Sequence, residues 1–417
     1  MKILVVGSGG REHTICWKVS QNEKVEKVYC APGNGGTELL EKGENVNLNG
    51  VDEILNFAKE KNIDLTIVGS EELLVDGIVD KFQAEGLRIF GPDRKAALLE
   101  GSKAFAKDFM KKYGVKTATY EVFNEADKAK EYIKNCDFPL VVKASGLAAG
   151  KGVLICQNLE EALKAVDEIM IDKVFNSAGE QIVVEEFLDG VEASILSVTD
   201  SNTILPFISA KDHKKIGEKE TGLNTGGMGT IAPNPYVTKE VYDKFITEIM
   251  NPTLEGIKAE GMDFAGFIFF GLMITSKGVY LLEYNMRLGD PETQVVLPLL
   301  ESDFITLLEN GIDKKLSTTK VKWSNKSACC VVLASGGYPE KYNKGYEITG
   351  MDKVENMVFV AGAKIENGKL LTNGGRVINV VALGDTLEEA RAKAYYDAEQ
   401  VNFEKRYFRK DIGVLYR

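Results

Sequence analysis

The sequence has little of what several common enzyme classes need. Its 417 residues include only two histidines, His13 and His213, and six cysteines with no C-x-x-C pair. A zinc site made of thiolates and imidazoles therefore has little support. A Ser-His-Asp hydrolase is possible, but only two histidines are candidates for its catalytic base. We expect the cysteines to be free, buried thiols in a reducing compartment.

Long apolar runs and excess positive charge are missing too. The strongest apolar run, FAGFIFFGLMI at 264–274, falls short of the ~20 residues of a membrane helix and is interpreted as a buried strand. The net charge of −11 argues against a nucleic-acid partner, which would need a basic surface. The apolar stretch in MKILVVGSGG is too short for a signal peptide, so we expect a cytoplasmic protein with no membrane partner.

The chain is long enough for two to four domains, and its patterns divide it into three parts. Strand and helix patterns alternate over residues 1–101, with helices at 51–61, 72–85 and 93–101, which predicts a parallel sheet. Residues 102–322 combine strands, loops and a hairpin turning at Gly278, typical of an antiparallel α+β domain. Residues 323–417 predict a small C-terminal α+β domain.

The first glycine motif, GSGGREH, follows a predicted strand and is compatible either with an anion pocket at Gly9, Gly10 and Arg11 or with a plain tight turn. Glu12 stands where a dinucleotide fingerprint needs its third glycine, and the second strand ends in VYCAPGN without a ribose-binding carboxylate. An NAD oxidoreductase is therefore disfavoured. His13 is interpreted as a packed side chain of the first helical turn.

Two further glycine-rich segments carry lysines. VVKASGLAAGKGV at 141–153 does not fit a P-loop, but a loop with Lys151 beside a strand with Lys143 is suited to closing over phosphates. KDHKKIGEKETGLNTGGMG at 211–229 lets backbone N–H groups approach a ligand closely. The alternatives are a loose surface hairpin and an ordinary disordered loop.

Two acidic segments complete the set of candidate sites. In LLEYNMRLGDPETQ at 281–294, Glu283, Asn285 and Arg287 share one strand face and Tyr284 and Met286 the other. This pattern indicates either a half-solvated edge strand or a carboxylate and an amide for a hard cation, beside an arginine for an anion. EEFLDGVE at 185–192 is either a solvated strand end or a nucleoside site.

In their order, these motifs resemble those of the ATP-grasp ligases. The resemblance rests on four motifs: K-x-S-G-x-x-x-G-K-G, E-E-F-L-x-G-x-E, N-T-G-G-M-G and E-x-N-x-R-x-G-D-P-E-T-Q. Over essentially its whole length the chain is similar to the branch that joins glycine to 5-phosphoribosylamine in purine biosynthesis. The resemblance implies that ATP becomes ADP and phosphate through a glycyl phosphate intermediate.

The resemblance also implies the fold class and the cofactors. The fold class is multidomain α/β and α+β, with an N-terminal Rossmann-like parallel sheet, a central ATP-grasp fold with a mobile lid at about 118–187, and the small C-terminal α+β domain. The nucleotide is ATP as substrate, and the metal is Mg²⁺ or Mn²⁺. The other partners implied are glycine and 5-phosphoribosylamine, and the chain is expected to be a monomer.

Site roles follow residue by residue from the matching motifs. The catalytic residues implied are Arg287, Lys151 and Asp290. Nucleotide binding is implied for Lys103, Lys143, Gly146, Gly150, Gly152, Glu185, Glu186, Leu188 and Glu192. Contacts with glycine and phosphoribosylamine are implied for Gly10, Arg11, Asp212, Lys214, Asn224, Thr225, Gly226, Gly227 and Met228. The metal ligands implied are Glu283 and Asn285.

One departure from the ATP-grasp pattern affects the metal. The strand opposite Glu283, GFIFFGLMIT at 266–275, supplies no second carboxylate, so the metal is expected to use two side chains and the nucleotide phosphates. Another ATP-grasp carboxylate–amine ligase or a carboxylase of the same pathway is the alternative enzyme. A nucleotide-binding sensor without catalysis is the alternative from another class.

Overall fold

The computed structural model describes residues 1–148 and 151–416. Its N-terminal part has five strands: β1 Lys2–Gly7, β2 Lys27–Pro32, β3 Gly43–Asn45, β4 Leu65–Val68 and β5 Ile89–Phe90. All pair in parallel, in the order β3-β2-β1-β4-β5. The helices are α1 Gly10–Ser20, α2 Gly35–Glu38, α3 Gly50–Lys61, α4 Glu71–Val75, α5 Ile78–Ala84 and α6 Arg94–Gly101. The predicted parallel sheet is therefore confirmed.

One helix of this part differs from the prediction. The pattern over 72–85 predicts one helix, but the structure has α4 and α5 with a break at Gly77. Gly77 has φ +85°, a left-handed conformation that glycine adopts without the steric cost of a Cβ. The break separates α5 from α4, which carries Glu71 in its first turn.

The following segment forms a second, smaller antiparallel sheet. Its strands are β6 Tyr120–Phe123, β7 Leu140–Ala144, β8 Val153–Cys156 and β9 Ile182–Glu186, in the order β6-β9-β7-β8. Its helices are α7 Lys103–Tyr113, α8 Ala126–Ile133 and α9 Leu159–Val166, which a π-helical turn Asp167–Ile171 extends. The glycine loop with Lys151 joins β7 to β8.

The central part then supplies eight strands and four helices. The strands are β10 Val191–Thr199, β11 Ile204–Pro206, β12 Lys211–Asp212, β13 Lys215–Gly217, β14 Thr221–Asn224, β15 Gly229–Ala232, β16 Gly266–Thr275 and β17 Gly278–Asn285. The helices are α10 Lys239–Phe245, α11 Asn251–Ala259, α12 Thr293–Leu299 and α13 Phe304–Ile312, with a π-helical turn Ile246–Met250 between the first two.

Strand β16 is buried on both faces. It lies inside the sheet β11-β10-β16-β17 and forms the predicted hairpin with β17, turning at Gly278. Phe267 and Phe269 join a core shared with β1 and α12, whereas Ile268 and Phe270 join a core shared with α7 and α11. Because successive side chains enter different cores, the strand is a continuous apolar run.

The C-terminal part completes the fold. Its elements are β18 Ser327–Ser335, β19 Met357–Val360, β20 Ala363–Glu366, β21 Lys369–Thr372, β22 Arg376–Gly384, α14 Leu387–Gln400 and β23 Arg406–Tyr407. Its main sheet has the order β12-β15-β18-β22-β19, and β23 pairs with β18. Two strands of this sheet, β12 and β15, therefore come from residues that precede 323 in the chain.

Single turns of 3-10 helix lie at Asn176–Gly179, Glu218–Glu220, Leu316–Thr318 and Met351–Lys353. Within the described residues, no helix is long and apolar enough to cross a membrane.

Candidate active site

The end of β17 shows the alternation that the sequence predicts. Tyr284 and Met286 are buried in the core, and the polar residues that alternate with them are half-buried. Opposite Glu283 on β16 stands Gly271, where an added Cβ would lie 3.2 Å from Glu283 Cγ. The polar face of β17 therefore meets a position without a side chain, which leaves space beside the Glu283 carboxylate.

Four cationic side chains act on the charge of Glu283. Burial acts to raise the pKa of its carboxyl, but four neighbouring cations hold that pKa below its ordinary value: Lys214, Lys103, Lys143 and Arg287. These cations come from four separate segments of the chain. The structure thus brings together a predicted metal ligand, two predicted nucleotide-binding lysines, one predicted substrate residue and one predicted catalytic residue.

Carboxylates of the N-terminal part hold the Arg287 guanidinium. Its Nη2 lies 2.8 Å from Glu100 Oε1 and 3.1 Å from Asn285 Oδ1, and its Nε lies 3.7 Å from Glu71 Oε2. Glu100 Oε2 also accepts a hydrogen bond from the backbone N–H of Met286, at 2.7 Å. Glu100 on α6 and Glu71 on α4 therefore fix the direction of Arg287 from outside its own strand.

These two glutamates were missed by sequence reasoning. Each is one acidic residue within an ordinary helical pattern, with no glycine motif or paired carboxylate to mark it. Burial raises the pKa of Glu100 despite Arg287, whereas Arg287 and Arg11 lower the pKa of Glu71 against the effect of burial. Only the packing of α4 and α6 against the end of β17 indicates their place in the site.

The nucleotide-binding lysines meet one buried carboxylate. Lys143 Nζ on β7 lies 2.9 Å from Glu185 Oε2 on β9, and Lys107 Nζ on α7 lies 3.1 Å from the same oxygen. Lys103, one helical turn before Lys107, points its Nζ to within 3.5 Å of Gly146 O. Burial lowers the pKa of Lys103, although Glu283 opposes this effect. Sequence reasoning missed Lys107, which only its position one turn after Lys103 could have indicated.

Residues 186–192 lead from β9 to β10. Glu186 is exposed; its N–H donates to Thr119 O at 3.0 Å, and its carboxylate accepts from Thr119 N at 2.8 Å. Leu188 is half-buried, and Glu192 forms an ion pair with Lys214 at 3.2 Å. The Glu192 carboxylate raises the pKa of Lys214. A predicted ribose contact and a predicted acceptor-substrate contact are thus neighbours.

The loop between β7 and β8 is described only in part. Gly150 lies outside the described residues. Gly146 N donates to Ala178 O at 3.0 Å, and Gly152 O accepts from Ala144 N at 2.8 Å. Lys151 is exposed, and no ion pair joins it to the charged cluster around Glu283 in the parts of the chain described.

The segment 211–229 folds back over Asp212. Asp212 is buried, and its Oδ1 has no hydrogen-bond partner among the described residues. An added Cβ at Gly227, which has φ +122°, would lie 2.6 Å from that oxygen. Burial and the neighbouring Glu292 carboxylate raise the pKa of Asp212 well above its ordinary value. The unpaired Oδ1 of Asp212 is therefore a polar atom that a ligand could contact.

Hydrogen bonds within the 224–229 loop fix its shape. Thr225 donates from both N and Oγ1 to Lys214 O, at 2.7 and 2.8 Å, and Thr225 Oγ1 accepts from Gly227 N at 3.0 Å. Asn224 is exposed at the end of β14. Met228 is fully buried in the C-terminal core, so its side chain serves packing. Its N–H donates to His213 O at 2.8 Å and its carbonyl oxygen accepts from Val332 N at 3.2 Å, so its backbone is engaged within the protein as well.

The N-terminus of α1 already receives a carboxylate. Asp290 Oδ2 accepts a hydrogen bond from Arg11 N at 3.2 Å, and the Arg11 side chain is paired with Glu12 at 2.5 Å. An added Cβ at Gly10 would lie 2.5 Å from both Asn379 Nδ2 and Gln294 Nε2. The predicted anion pocket is therefore occupied by a side chain of the protein in this structure.

Two further charged residues of this region had no assigned role. Arg376 on β22 lies 3.4 Å from Asp290 Oδ1, and it donates to Gly226 O at 2.5 Å and Asp290 O at 2.7 Å. Burial acts to raise the pKa of Asp290, but Arg376 and Arg11 hold it below its ordinary value. Glu292 is buried and accepts from Ser194 Oγ at 3.1 Å. The D-P-E-T-Q motif contained Glu292, but Arg376 had no local signal.

Family models match most of the chain. They are the N domain (residues 1–100), the ATP-grasp (A) domain (residues 101–293) and the C domain (residues 328–415) of phosphoribosylglycinamide synthetase. The phosphoribosylamine–glycine ligase of Fusobacterium nucleatum is 60% identical over 100% of this chain and 99% of that protein. The protein of the same name from Clostridium acetobutylicum is 58% identical over 99% of both.

This chain belongs to the phosphoribosylamine–glycine ligase family. The family and the function predicted from the sequence motifs, that of a phosphoribosylamine–glycine ligase of purine biosynthesis, are thereby confirmed.

Solved structures agree with the fold of this ligase family. The phosphoribosylamine–glycine ligase of Thermotoga maritima superposes with a TM-score of 0.88 at 37% identity, covering 99% of this chain and 100% of that one. Biotin carboxylase of Campylobacter jejuni has a TM-score of 0.72 at 14% identity, covering 97% and 92%, which shows a common fold alone. The predicted fold class, with its N-terminal, ATP-grasp and C-terminal domains, is confirmed.

Proposed function

We propose that this chain joins the carboxylate of glycine to the amine of 5-phosphoribosylamine and converts ATP to ADP and phosphate, in purine biosynthesis. One observation carries the reaction class: four cationic side chains from separate segments lie near enough to Glu283 to hold the pKa of its carboxyl below its ordinary value. Such a cluster suits a reaction in which negative charge moves between phosphate and carboxylate oxygens. Family membership supports the choice of the two acceptors.

The reaction needs an activated carboxylate, because a carboxylate at neutral pH is a poor electrophile. A glycine oxygen attacks the γ-phosphorus of ATP, the bond to the β,γ-bridging oxygen breaks, and ADP leaves glycyl phosphate. The amine of phosphoribosylamine then attacks the acyl carbon, loses a proton and expels phosphate. Positioning and charge neutralisation supply most of the rate of such steps, which is consistent with a site poor in nucleophiles.

Arg287 is proposed to stabilise the transferred phosphoryl group and the acyl phosphate. Its two glutamate partners and Asn285 hold the guanidinium in one direction before the nucleotide binds. A preorganised cation of this kind needs no reorientation as charge develops on the transferred group. Lys151, in the loop between β7 and β8, is proposed to join the phosphates when that loop closes, together with Gly150 and Gly152.

Nucleotide binding is proposed for the region where β9 and α7 meet. Lys103 and Lys143 supply positive charge for the phosphates, and Gly146 lets the backbone approach them. Glu185, with the backbone of Glu186 and Leu188, is proposed to bind adenine. Glu192 is proposed to accept hydrogen bonds from the ribose hydroxyls, which would exchange for its ion pair with Lys214.

The side chains at the end of β17 fit a hard cation. Glu283 offers a carboxylate beside Gly271, and Asn285 offers an amide oxygen, both of the ligand type that Mg²⁺ and Mn²⁺ accept. No group of three or more acidic, cysteine or histidine side chains suited to a metal occurs in residues 1–148 and 151–416. We therefore propose that Glu283 and Asn285 hold the ion with nucleotide phosphates as its remaining ligands. The ion would neutralise phosphate charge during transfer.

The acceptor substrates are proposed to bind between the 224–229 loop and the start of α12. The unpaired Oδ1 of Asp212 is available to an ammonium or amine, whose positive charge would lower the raised pKa of this carboxyl, and Lys214 suits anionic oxygens. Asp290 is proposed to orient the acceptors while Arg376 holds it. Gly10 and Arg11 are proposed to meet the phosphate of phosphoribosylamine, which would compete with Asp290 for Arg11 N.

The proposal also covers the domain boundaries, the location in the cell and the oligomeric state. We propose the domain boundaries 1–101, 102–322 and 323–417, a cytoplasmic location and a monomeric state. Size-exclusion chromatography with light scattering at several protein concentrations tests the last of these; a mass that rises with concentration would contradict it.

A coupled assay of ADP formation tests the activity. The purified chain with ATP, Mg²⁺, glycine and phosphoribosylamine should release ADP and form glycinamide ribonucleotide, and omitting glycine should stop both. Bicarbonate in place of glycine is the control for a carboxylase, the alternative enzyme. ADP release that depends on bicarbonate and not on glycine would overturn the proposal, and so would ATP binding without turnover under any acceptor.

A further inference from the structure

Glu185 uses only one of its two carboxylate oxygens. Its Oε2 receives both Lys143 Nζ, at 2.9 Å, and Lys107 Nζ, at 3.1 Å. Its Oε1 is buried and has no hydrogen-bond partner among the described residues. The residue as a whole is only 3% exposed. A buried acceptor without a partner costs free energy unless a ligand supplies the missing donor, so this oxygen indicates a contact with a ligand.

Lys107 is not free to serve another partner. Its side chain is 2% exposed, and its Nζ donates to Thr117 Oγ1 at 2.7 Å. Thr117 Oγ1 in turn donates to Leu281 O on β17, at 2.6 Å. The ammonium therefore spans from Glu185 to the backbone of the strand that carries the candidate metal ligands.

The proposed function gives Lys143 a second task at the nucleotide phosphates, but Lys107 has none there. Without Lys107, Lys143 would be the only cation on Glu185 Oε2, and either carboxylate oxygen could turn towards it. With both lysines on Oε2, the carboxylate is kept in one orientation and Oε1 is left over. Burial raises the pKa of Glu185, but Lys143 and Lys107 outweigh this effect and lower it, so the carboxylate stays ionised as an acceptor.

We propose that Lys107 is a positioning residue for base selectivity: it holds Glu185 so that the free Oε1 accepts a hydrogen bond from the exocyclic amine of a 6-aminopurine. The inference rests on the proposed function, in which Glu185 meets adenine. An ionised carboxylate is an acceptor only, so a 6-oxopurine would set an oxygen against an oxygen and leave Oε1 unpaired. Sites built around a buried polar group reject analogues that cannot pair with it.

Inosine triphosphate tests this inference, because its base carries an oxygen at position 6 and a hydrogen on N1 where ATP has an amine and an unprotonated N1, and its ribose and phosphates are the same. The change of preference on altering Lys107, rather than the preference alone, therefore reports on Glu185. The wild-type chain should prefer ATP over ITP in kcat/KM. Lys107→Met should lower that preference about tenfold, mainly through the KM for ATP, and leave the KM for glycine unchanged. Lys111→Met, the same change at an exposed lysine of α7, should keep the wild-type preference.

A merely structural role of Lys107 would lower activity with both nucleotides alike. An unchanged ATP/ITP ratio in Lys107→Met would therefore overturn the inference, and so would a wild-type chain without preference between the two. Glu185→Gln removes the buried carboxylate charge that Lys107 neutralises, so it provides a second background if Lys107→Met does not fold in the wild-type chain. It should lower the ratio by itself, and adding Lys107→Met to it should cause no further loss, because both changes act through one carboxylate.

Thermal shifts on binding ATP and ITP separate this inference from the proposed function. They report base preference without any acceptor substrate. A chain that fails to ligate glycine, yet is stabilised more by ATP than by ITP and loses this difference in Lys107→Met, would overturn the ligase proposal alone. A chain that ligates glycine with an unaltered base preference in the variant would overturn the Lys107 inference alone.

Discussion

Single residues of the site depend on charges that neutralise one another away from water. Glu283 is kept ionised against the effect of burial by the lysines and the arginine around it. Arg287 in turn depends on Glu100, whose own pKa is raised by burial. Each of these buried charges is stabilised by an oppositely charged neighbour. Replacing one charged side chain therefore leaves its partner without a counter-charge.

Replacing Glu283 by alanine is the direct test at this scale. The Glu283→Ala chain should lose Mg²⁺-dependent turnover by roughly 100-fold or more, because the cations around residue 283 would face the phosphates without a bound metal ion. Steady-state ADP release measures the loss. Circular dichroism should show an intact fold, since β17 keeps its backbone pairs with β16.

Glu255→Ala, the same substitution at an exposed position of α11, is the matched control and should keep wild-type turnover. Turnover like that of the wild type in Glu283→Ala would rule out the metal role of Glu283.

At the scale of elements, the hairpin β13–β14 is held by the end of the chain. Arg409 is fully buried; it binds Asp411 through Nε and Nη2, both at 2.8 Å, Glu220 at 2.9 Å and Lys215 O at 3.0 Å. Lys219 N donates to Asp411 Oδ2 at 2.8 Å. The turn between the strands has two non-glycine residues with positive φ, Lys219 and Glu220, so it needs such support.

The Arg409→Met chain should lose this support. Leaving buried Asp411 without its guanidinium should cost about 3 kcal/mol of stability around the hairpin. Hydrogen exchange of residues 213–224 and 406–416 should become faster, and β7, whose contacts do not change, is the internal reference.

Arg88→Met removes an exposed arginine paired with Asp313, so it should change exchange little. Unchanged protection of 213–224 in Arg409→Met would show that the C-terminal segment does not hold the hairpin. A raised KM for phosphoribosylamine in that variant is also expected, because β14 leads directly into the 224–229 loop.

For the whole molecule, the only two histidines of the sequence stand at contacts between distant segments. His13 Nδ1 on α1 accepts from Val360 N on β19 at 2.8 Å, and His213 Nε2 accepts from Gly413 N at 3.1 Å. Burial lowers the pKa of His13 to about 4 and of His213 to about 3. Both rings are therefore neutral when folded, and protonating either accepting nitrogen would remove a contact.

This arrangement predicts loss of stability in mild acid. Below the ordinary pKa of 6.5, the unfolded chain binds a proton at each histidine and the folded chain does not. The contribution of the two neutral histidines to the free energy of unfolding is thus complete above that pH, and it falls as pH decreases towards the folded pKa values. The slope is roughly 1.4 kcal/mol per pH unit for each histidine. Urea unfolding between about pH 7.5 and pH 5 measures it. Comparison with a chain that lacks both histidines separates their contribution from that of buried carboxyls with a raised pKa, such as Asp212 and Glu100.

The double variant His13→Gln, His213→Gln should flatten this slope, even where its stability at neutral pH is lower than that of the wild type. An equal slope in both chains would show that other groups bind the protons.

The sequence by itself determined the ligase family, the parallel N-terminal sheet, the β16–β17 hairpin and the shared face of Glu283, Asn285 and Arg287. These follow from periodicity and short motifs, which depend on residues close together in the chain. The break at Gly77 was missed because a helical pattern does not show that a glycine within it takes a positive φ. The predicted roles of individual site residues stay predictions.

Only the tertiary structure decided which distant charges meet. Glu71 and Glu100 reach Arg287, Lys107 reaches Glu185, and Arg376 reaches Asp290 because separate elements pack together. The strands β12 and β15 likewise enter the C-terminal sheet by long-range pairing. An isolated acidic or basic residue in a helix or strand has no local mark of its partner. The energy of such a pair depends on distance and burial, and both arise only when the chain is folded.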